Sequence, residues 1–159
     1  MKIYAHRGNF RGPESGENAL DGIEACLDSG VGVELDVWGL DEEIWVGHDR
    51  PGWKIATKVL ENDSVICHAK NVEAVMILSR LSTTYFSIDR DPFSLCSNGL
   101  IWANYGCAPT PVSIMCSPEL VTAMEGIEEF YERISNSYGV CSDYPLLYQQ
   151  LVRDRSTLG

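Results

Sequence analysis

Val33-Glu34-Leu35-Asp36-Val37 alternates apolar and acidic residues without a break. Side chains along a strand point alternately to opposite faces, so Glu34 and Asp36 share one face while Val33, Leu35 and Val37 share the other. Two carboxylates side by side raise each other's pKa unless a cation or a proton stands between them. A hard divalent metal is the usual neutraliser, because carboxylate oxygens suit Mg²⁺ or Ca²⁺. The commoner fate of an acidic pair on a strand is an exposed polar face. Two neighbours argue for more here: Ala5-His6-Arg7-Gly8 upstream and Gly47-His48-Asp49 downstream.

Working outward, a first strand is expected over 2–6, ending in a Gly-rich loop. A helix is expected over 17–29, with an apolar stripe of Leu20, Ile23, Ala25 and Leu27 closed by Gly30. A hairpin should return the central strand to a partner at 44–47. A further strand is expected over 65–70, after which Asn71 caps a helix running to 81. Beyond a strand at 85–89 the connections shrink, with short strands at 100–103, 112–115 and 140–141. Ser117-Pro118-Glu119 has the pattern of a helix start. Helices are expected over 127–134 and 145–152.

Alternation of strand and helix implies a largely parallel sheet, doubly wound or closed into a barrel. His6, Asp36, Lys70, Asp89 and Asp143 all fall at or just past the C-terminal ends of different strands, as in a (β/α)₈ barrel. No Gly-x-Gly-x-x-Gly marks the doubly wound alternative. At 159 residues the chain is shorter than the roughly 200 such barrels need. The expectation is therefore an α/β fold with one domain over 1–159: a TIM-type barrel, trimmed or incomplete, with shortened helices in its second half.

The net charge of −11 argues against a nucleic-acid scaffold, which needs clustered Lys and Arg. An anionic substrate would require a pocket that is locally positive against that acidic field. Six cysteines, at 26, 67, 96, 107, 116 and 141, include no Cys-x-x-Cys pair and read as reduced structural thiols. No apolar run approaches membrane-spanning length, and the N-terminus has no signal-peptide pattern, so a cytoplasmic protein is expected. Oligomeric state is not legible from the sequence.

In chain order the polar set is His6-Arg7, Glu17-Asn18, Glu34-x-Asp36, His48-Asp49, His68-x-Lys70 and Asp143. Metal, Arg and Lys can clamp a phosphate, and two histidines can trade protons with attacking and leaving oxygens, which suggests phosphoryl chemistry. The set resembles the glycerophosphodiester phosphodiesterases. Their Ala-His-Arg-Gly opening, Pro-Glu-Asn-Thr stretch, Glu-x-Asp-Val strand and Gly-His-Asp hairpin correspond here to Ala5-His6-Arg7-Gly8, Gly16-Glu17-Asn18-Ala19, Glu34-Leu35-Asp36-Val37 and Gly47-His48-Asp49. A C-terminal Gly-x-x-(Thr or Ser)-Asp-x-Pro segment corresponds to the run from Gly139 through Asp143 to Pro145.

The resemblance implies a barrel that hydrolyses a small glycerophosphodiester to sn-glycerol 3-phosphate and an alcohol, with one divalent metal ion (Mg²⁺, Mn²⁺ or Ca²⁺). By it, His6 and His48 would be the general acid/base pair and Arg7 and Lys70 would bind the phosphate. Glu34 and Asp36 would hold the metal. Glu17, Asp49 and Asp143 would support them, Glu17 by orienting Arg7 or by reaching the metal through water, and Asp49 by orienting His48.

The chain departs from the pattern in three places. Gly16 and Ala19 replace Pro and Thr. His68 stands where the family has a metal-binding Glu, and as a ligand it would favour Mn²⁺ or Zn²⁺ over Ca²⁺; the alternative is that it is a spacer. The large insertion that encloses glycerol in the family is missing after His48, and Trp53 and Trp102 are candidates for a shallower pocket or for the core. Two other functions share this constellation: a phosphodiester-binding module without turnover, and an enzyme forming a cyclic phosphate, as the similar phosphatidylinositol-specific phospholipases C do.

Overall fold

The longest strand among the described residues, β2 (Gly32–Leu40), is the hub of the molecule. The computed structural model describes residues 1–13, 16–87, 90–116 and 126–156. The helix start expected at Ser117 and the candidate Asp89 lie outside them. One edge of β2 is shared: β1 (Lys2–His6) runs parallel to it as far as the pair His6 and Glu34. Beyond that point β3 (Glu43–Val46) folds back antiparallel from Leu40, opposite residues 37–40. The short β4 (Trp53–Lys54) extends this hairpin. The other edge of β2 carries β5 (Val65–Ala69) in parallel register, with Asp36 level with His68. β6 (Thr84–Phe86) lies parallel beyond β5.

On the far side of β1 the order is β10 (Gly139–Ser142), β9 (Ser113–Cys116) and β8 (Ile101–Asn104), all parallel, then β7 (Phe93–Leu95), antiparallel to β8. The sheet curls far enough for the turn after β7 to reach β6. There Ser97 N–H donates to the Tyr85 carbonyl at 2.8 Å, and Tyr85 N–H donates to Ser97 Oγ at 3.0 Å.

Period-two alternation sorts the side chains of this curl cleanly. Ala5, Val33, Leu35, Val37, Val65 and Cys67 face outward. They are covered by α1 (Leu20–Asp28), α2 (Thr57–Leu60) and α3 (Val72–Leu78), which contribute Ile23, Cys26, Leu60, Ala74 and Leu78. A second outward core joins Ala103, Met115 and Val140 to α4 (Ile127–Arg133) and α5 (Pro145–Ser156) through Phe130, Ile134 and Tyr148. The concave face is filled at its base by Tyr4, Ile66, Phe86, Trp102, Ile114 and Cys141. Two residues further along the same strands, that face becomes polar: His6 follows Tyr4, His68 follows Ile66 and Asp143 follows Cys141.

The fold corrects the expected barrel. It is a curled, mixed half-barrel of ten strands with five short helices among the described residues, not an alternating β/α barrel. A parallel crossover needs about a dozen residues or more, usually with a helix. The segment between β8 and β9 is shorter and carries Pro109 and Pro111, and β7 to β8 is a hairpin. Strand succeeds strand there with no intervening helix among the described residues.

Other expectations meet the structure closely. Asn71 caps α3, its Oδ1 accepting from Ala74 N–H at 2.9 Å. The first helix begins later than expected, at Leu20, because Asn18 adopts a left-handed backbone (φ 62°) and spends its side chain elsewhere. All six cysteines are free, and only Cys107 is not buried. Burial pushes the Cys67 thiol up to about 12 and the Cys96 thiol up to about 11. Among the described residues no helix is long and apolar enough to cross a membrane.

Candidate functional site

Asp36 is the centre of the polar layer. Its side chain is buried, and its Oδ1 lies 3.2 Å from His68 Nδ1 and 3.3 Å from Lys70 Nζ. Its Oδ2 lies 3.2 Å from Arg7 Nε and accepts from Asn18 Nδ2 at 3.3 Å. Asn18 closes the contact from its other end, Oδ1 accepting from Asp36 N–H at 3.0 Å. Burial alone would raise the Asp36 pKa; His68, Lys70 and Arg7 overcome it and hold the carboxyl well below the usual range. An ionised Asp36 can only accept, so His68 Nδ1 donates to it when no ion stands between them.

Glu34 is in the opposite condition. It is buried on the same face, and burial together with the Asp36 charge raises its pKa. Arg7 N–H donates to its Oε2 at 3.3 Å. Glu34, Asp36 and His68 each offer a ligand atom, all within 4.8 Å of one another. A divalent cation fits this set because Glu34 needs a proton or a cation beside it, whereas the side-chain cations around Asp36 already balance that charge. No protein-family model, curated protein or solved structure matches the chain.

The basic side chains sit above the carboxylates. Arg7, Lys70, His6 and His68 each retain between 10% and 18% side-chain exposure, while Asp36 and Asp143 retain 2% or less. Arg7 is held in place by Glu17, 3.0 Å from its guanidinium. Its own backbone is left-handed at φ 53°, and its carbonyl accepts from Asn18 N–H at 2.7 Å. Such a backbone costs a non-glycine residue on the order of 1–2 kcal/mol, and strain of this kind collects at functional sites.

His6 and Asp143 form a second unit. Tyr4 pairs with Cys141 in the β1–β10 ladder, so His6 and Asp143, each two residues on, stand level, and His6 Nδ1 donates to Asp143 Oδ1 at 3.0 Å. Burial disfavours the imidazolium, but the Asp143 hydrogen bond outweighs it and raises the pKa to about 9. The linkage has a definite sign: stability from a raised histidine is fully present below its ordinary 6.5 and is lost as pH rises through about 9. EDTA-treated protein should therefore lose stability between pH 6.5 and 9 in urea melts, and His6→Gln should flatten that slope. A slope unchanged by the substitution would show that Asp143 does not hold the ring charged.

Asn9 links the two units, and nothing in the sequence marks it as a site residue. It is buried, and its Nδ2 donates to Asp143 Oδ1 at 2.7 Å and to Glu17 Oε1 at 3.2 Å. Asn18 stands out in the sequence only as the neighbour of Glu17. Both are amides in the glycine-rich loop after β1, able to donate to carboxylates, and Asn18 also tolerates the left-handed backbone it adopts there.

His48 and Asp49 stand apart. They pair with each other, Nδ1 to Oδ1 at 2.7 Å, on the exposed turn after β3, with side-chain exposures of 41% and 90%. The turn starts at the edge of the site, because Gly47 N–H donates to the Asp36 carbonyl at 3.0 Å. Gly47 has a φ of 152°, and a Cβ there would lie 2.3 Å from the Arg50 carbonyl oxygen, so only glycine makes this turn. Of the two tryptophans considered for the pocket, Trp102 is in the interior and Trp53 is exposed.

Proposed function

We propose that the chain is a metal-dependent phosphodiesterase acting on a small glycerophosphodiester-like substrate, releasing a phosphomonoester and an alcohol. The observation that carries this reading is the layering of the site: Arg7, Lys70 and two imidazoles at the rim, buried carboxylates beneath. In a protein of net charge −11 that rim is a local anion site, and two cations with an acid/base histidine suit a phosphodiester better than a carboxylate. The order of motifs resembling the glycerophosphodiester phosphodiesterases supports the same substrate class.

Arg7 and Lys70 would hold the phosphate oxygens. His6, kept protonated and fixed in orientation by Asp143, would protonate the leaving alkoxide through Nε2. His48 would serve as its partner in proton transfer from the turn after β3. A divalent ion held by Glu34, Asp36 and His68 would supply further charge neutralisation at the phosphate. Six free cysteines are in keeping with a reducing, cytoplasmic setting.

The test is a screen of EDTA-stripped protein with Mg²⁺, Mn²⁺, Ca²⁺ or Zn²⁺ against glycerophosphodiesters and bis(p-nitrophenyl) phosphate, with products read by ³¹P NMR. Turnover that needs a divalent ion and yields a phosphomonoester supports the reading; a cyclic phosphate would reassign the product. The exposure of His48 favours one second reading, a phosphodiester-binding module without turnover. Binding of a glycerophosphodiester with no product under any metal would establish it.

A further inference from the structure

His68 is held by more than its bond to Asp36. Its ring stacks on Phe86 with centroids 4.6 Å apart and planes 8° from parallel, and Phe86 stacks on Trp102 at 4.6 Å and 19°. The three rings come from β5, β6 and β8 and cross the concave face, each with 8% exposure or less. A hydrogen bond at Nδ1 fixes one atom of an imidazole and lets the ring rock about it, since the terminal torsion of histidine is broad. A parallel ring against its face removes that freedom. The stack fixes the plane of the ring and with it the direction of Nδ1, the nitrogen that lies 3.2 Å from Asp36 and that would turn from this hydrogen bond to a shared ion.

We propose that Phe86, backed by Trp102, is the positioning residue for His68 and tunes the site toward divalent ions that favour imidazole, such as Zn²⁺, over Mg²⁺. The proposal rests on the metal reading above. Zn²⁺ depends on a well-aimed imidazole, whereas Mg²⁺ depends on carboxylate oxygens and is less sensitive to the ring. Groups that orient a metal-binding histidine typically change affinity by about 10- to 100-fold when removed.

The experiment is calorimetric titration of Zn²⁺ and of Mg²⁺ into EDTA-stripped wild type, Phe86→Leu, Phe86→Tyr, His68→Ala and the His68→Ala/Phe86→Leu double variant. Phe86→Leu should weaken Zn²⁺ by about tenfold and Mg²⁺ by much less, and Phe86→Tyr should keep wild-type affinity. In the His68→Ala background Phe86→Leu should add nothing, because its effect passes through the imidazole. Equal losses for both ions, or a Phe86→Leu effect undiminished without His68, would make Phe86 a packing residue and overturn the proposal. Wild-type affinity in Phe86→Leu overturns it as well while sparing the metal reading; a wild-type protein that binds neither ion removes both. If Phe86→Leu does not fold, Trp102→Leu carries the same test. It should give a smaller Zn²⁺ loss that vanishes in His68→Ala, and a loss that persists there overturns the proposal.

Discussion

Asp36→Asn is expected to cost about 3–5 kcal/mol of stability, whereas Glu34→Gln, two residues away on the same face, is expected to cost nothing or to stabilise. The two carboxylates sit in opposite electrostatic conditions. Asp36 neutralises Lys70 and Arg7 and accepts from His68, all within 3.3 Å of its oxygens and all mostly buried. Removing its charge leaves two cationic groups beneath the surface without their counter-ion, the situation in which breaking a buried pair is most costly. Glu34 is buried beside Asp36, and its ionised form is disfavoured. A neutral isostere removes that penalty and keeps an oxygen to accept from Arg7 N–H.

Urea melts of EDTA-treated protein at neutral pH measure both effects. Comparable losses in the two variants would mean that the pair shares its charge equally and that this picture of the site is wrong. Added metal should reverse the ranking for wild type against Glu34→Gln. A ligand at 100 times its Kd stabilises by about 2.7 kcal/mol, and that increment should be missing without the Glu34 charge.

Turnover should fall by about 10²–10⁴ in His6→Ala, the range for one positioned proton transfer. His6 is the histidine best equipped for proton transfer, because its ring is fixed by Asp143, which is itself held by Asn9. Asp143→Asn should also slow the reaction, because an amide can turn its NH₂ toward Nδ1 and favour the other tautomer. If His6 acts as the acid, a p-nitrophenolate leaving group needs little help, and His6→Ala should recover most of its rate on bis(p-nitrophenyl) phosphate. Full activity of His6→Ala on a glycerophosphodiester would remove His6 from the chemistry. Equal losses on both substrates would move it from acid to base.

The convergence of polar residues at strand ends is legible in the chain, but it does not specify a closed barrel. Strand ends meet wherever parallel strands curl, whether or not a helix follows each one. Here β7, β8 and β9 succeed one another without helices among the described residues, and the curl still gathers residues from β1, β2, β5 and β10 on one face. The inference from strand ends to a full barrel assumes crossover helices that the short, Pro-containing later connections cannot form.

What the sequence determined by itself is local. Strict alternation placed Glu34 and Asp36 on one face, the apolar stripe and Gly30 placed the first helix and its end, and Asn71 marked the start of the third. Each is decided within a few residues by strand or helix periodicity and by capping chemistry. Partnership across the sheet was decided only by the tertiary structure. His6 meets Asp143 through the β1–β10 ladder, and Asp36 meets His68 through the β2–β5 register. Whether Asp36 or Glu34 is the stable anion depends on which cations the fold brings within reach. The two acidic residues are equivalent in the alternating pattern; burial and the position of Arg7, Lys70 and His68 make one a carboxylate held low and the other a carboxyl pushed up.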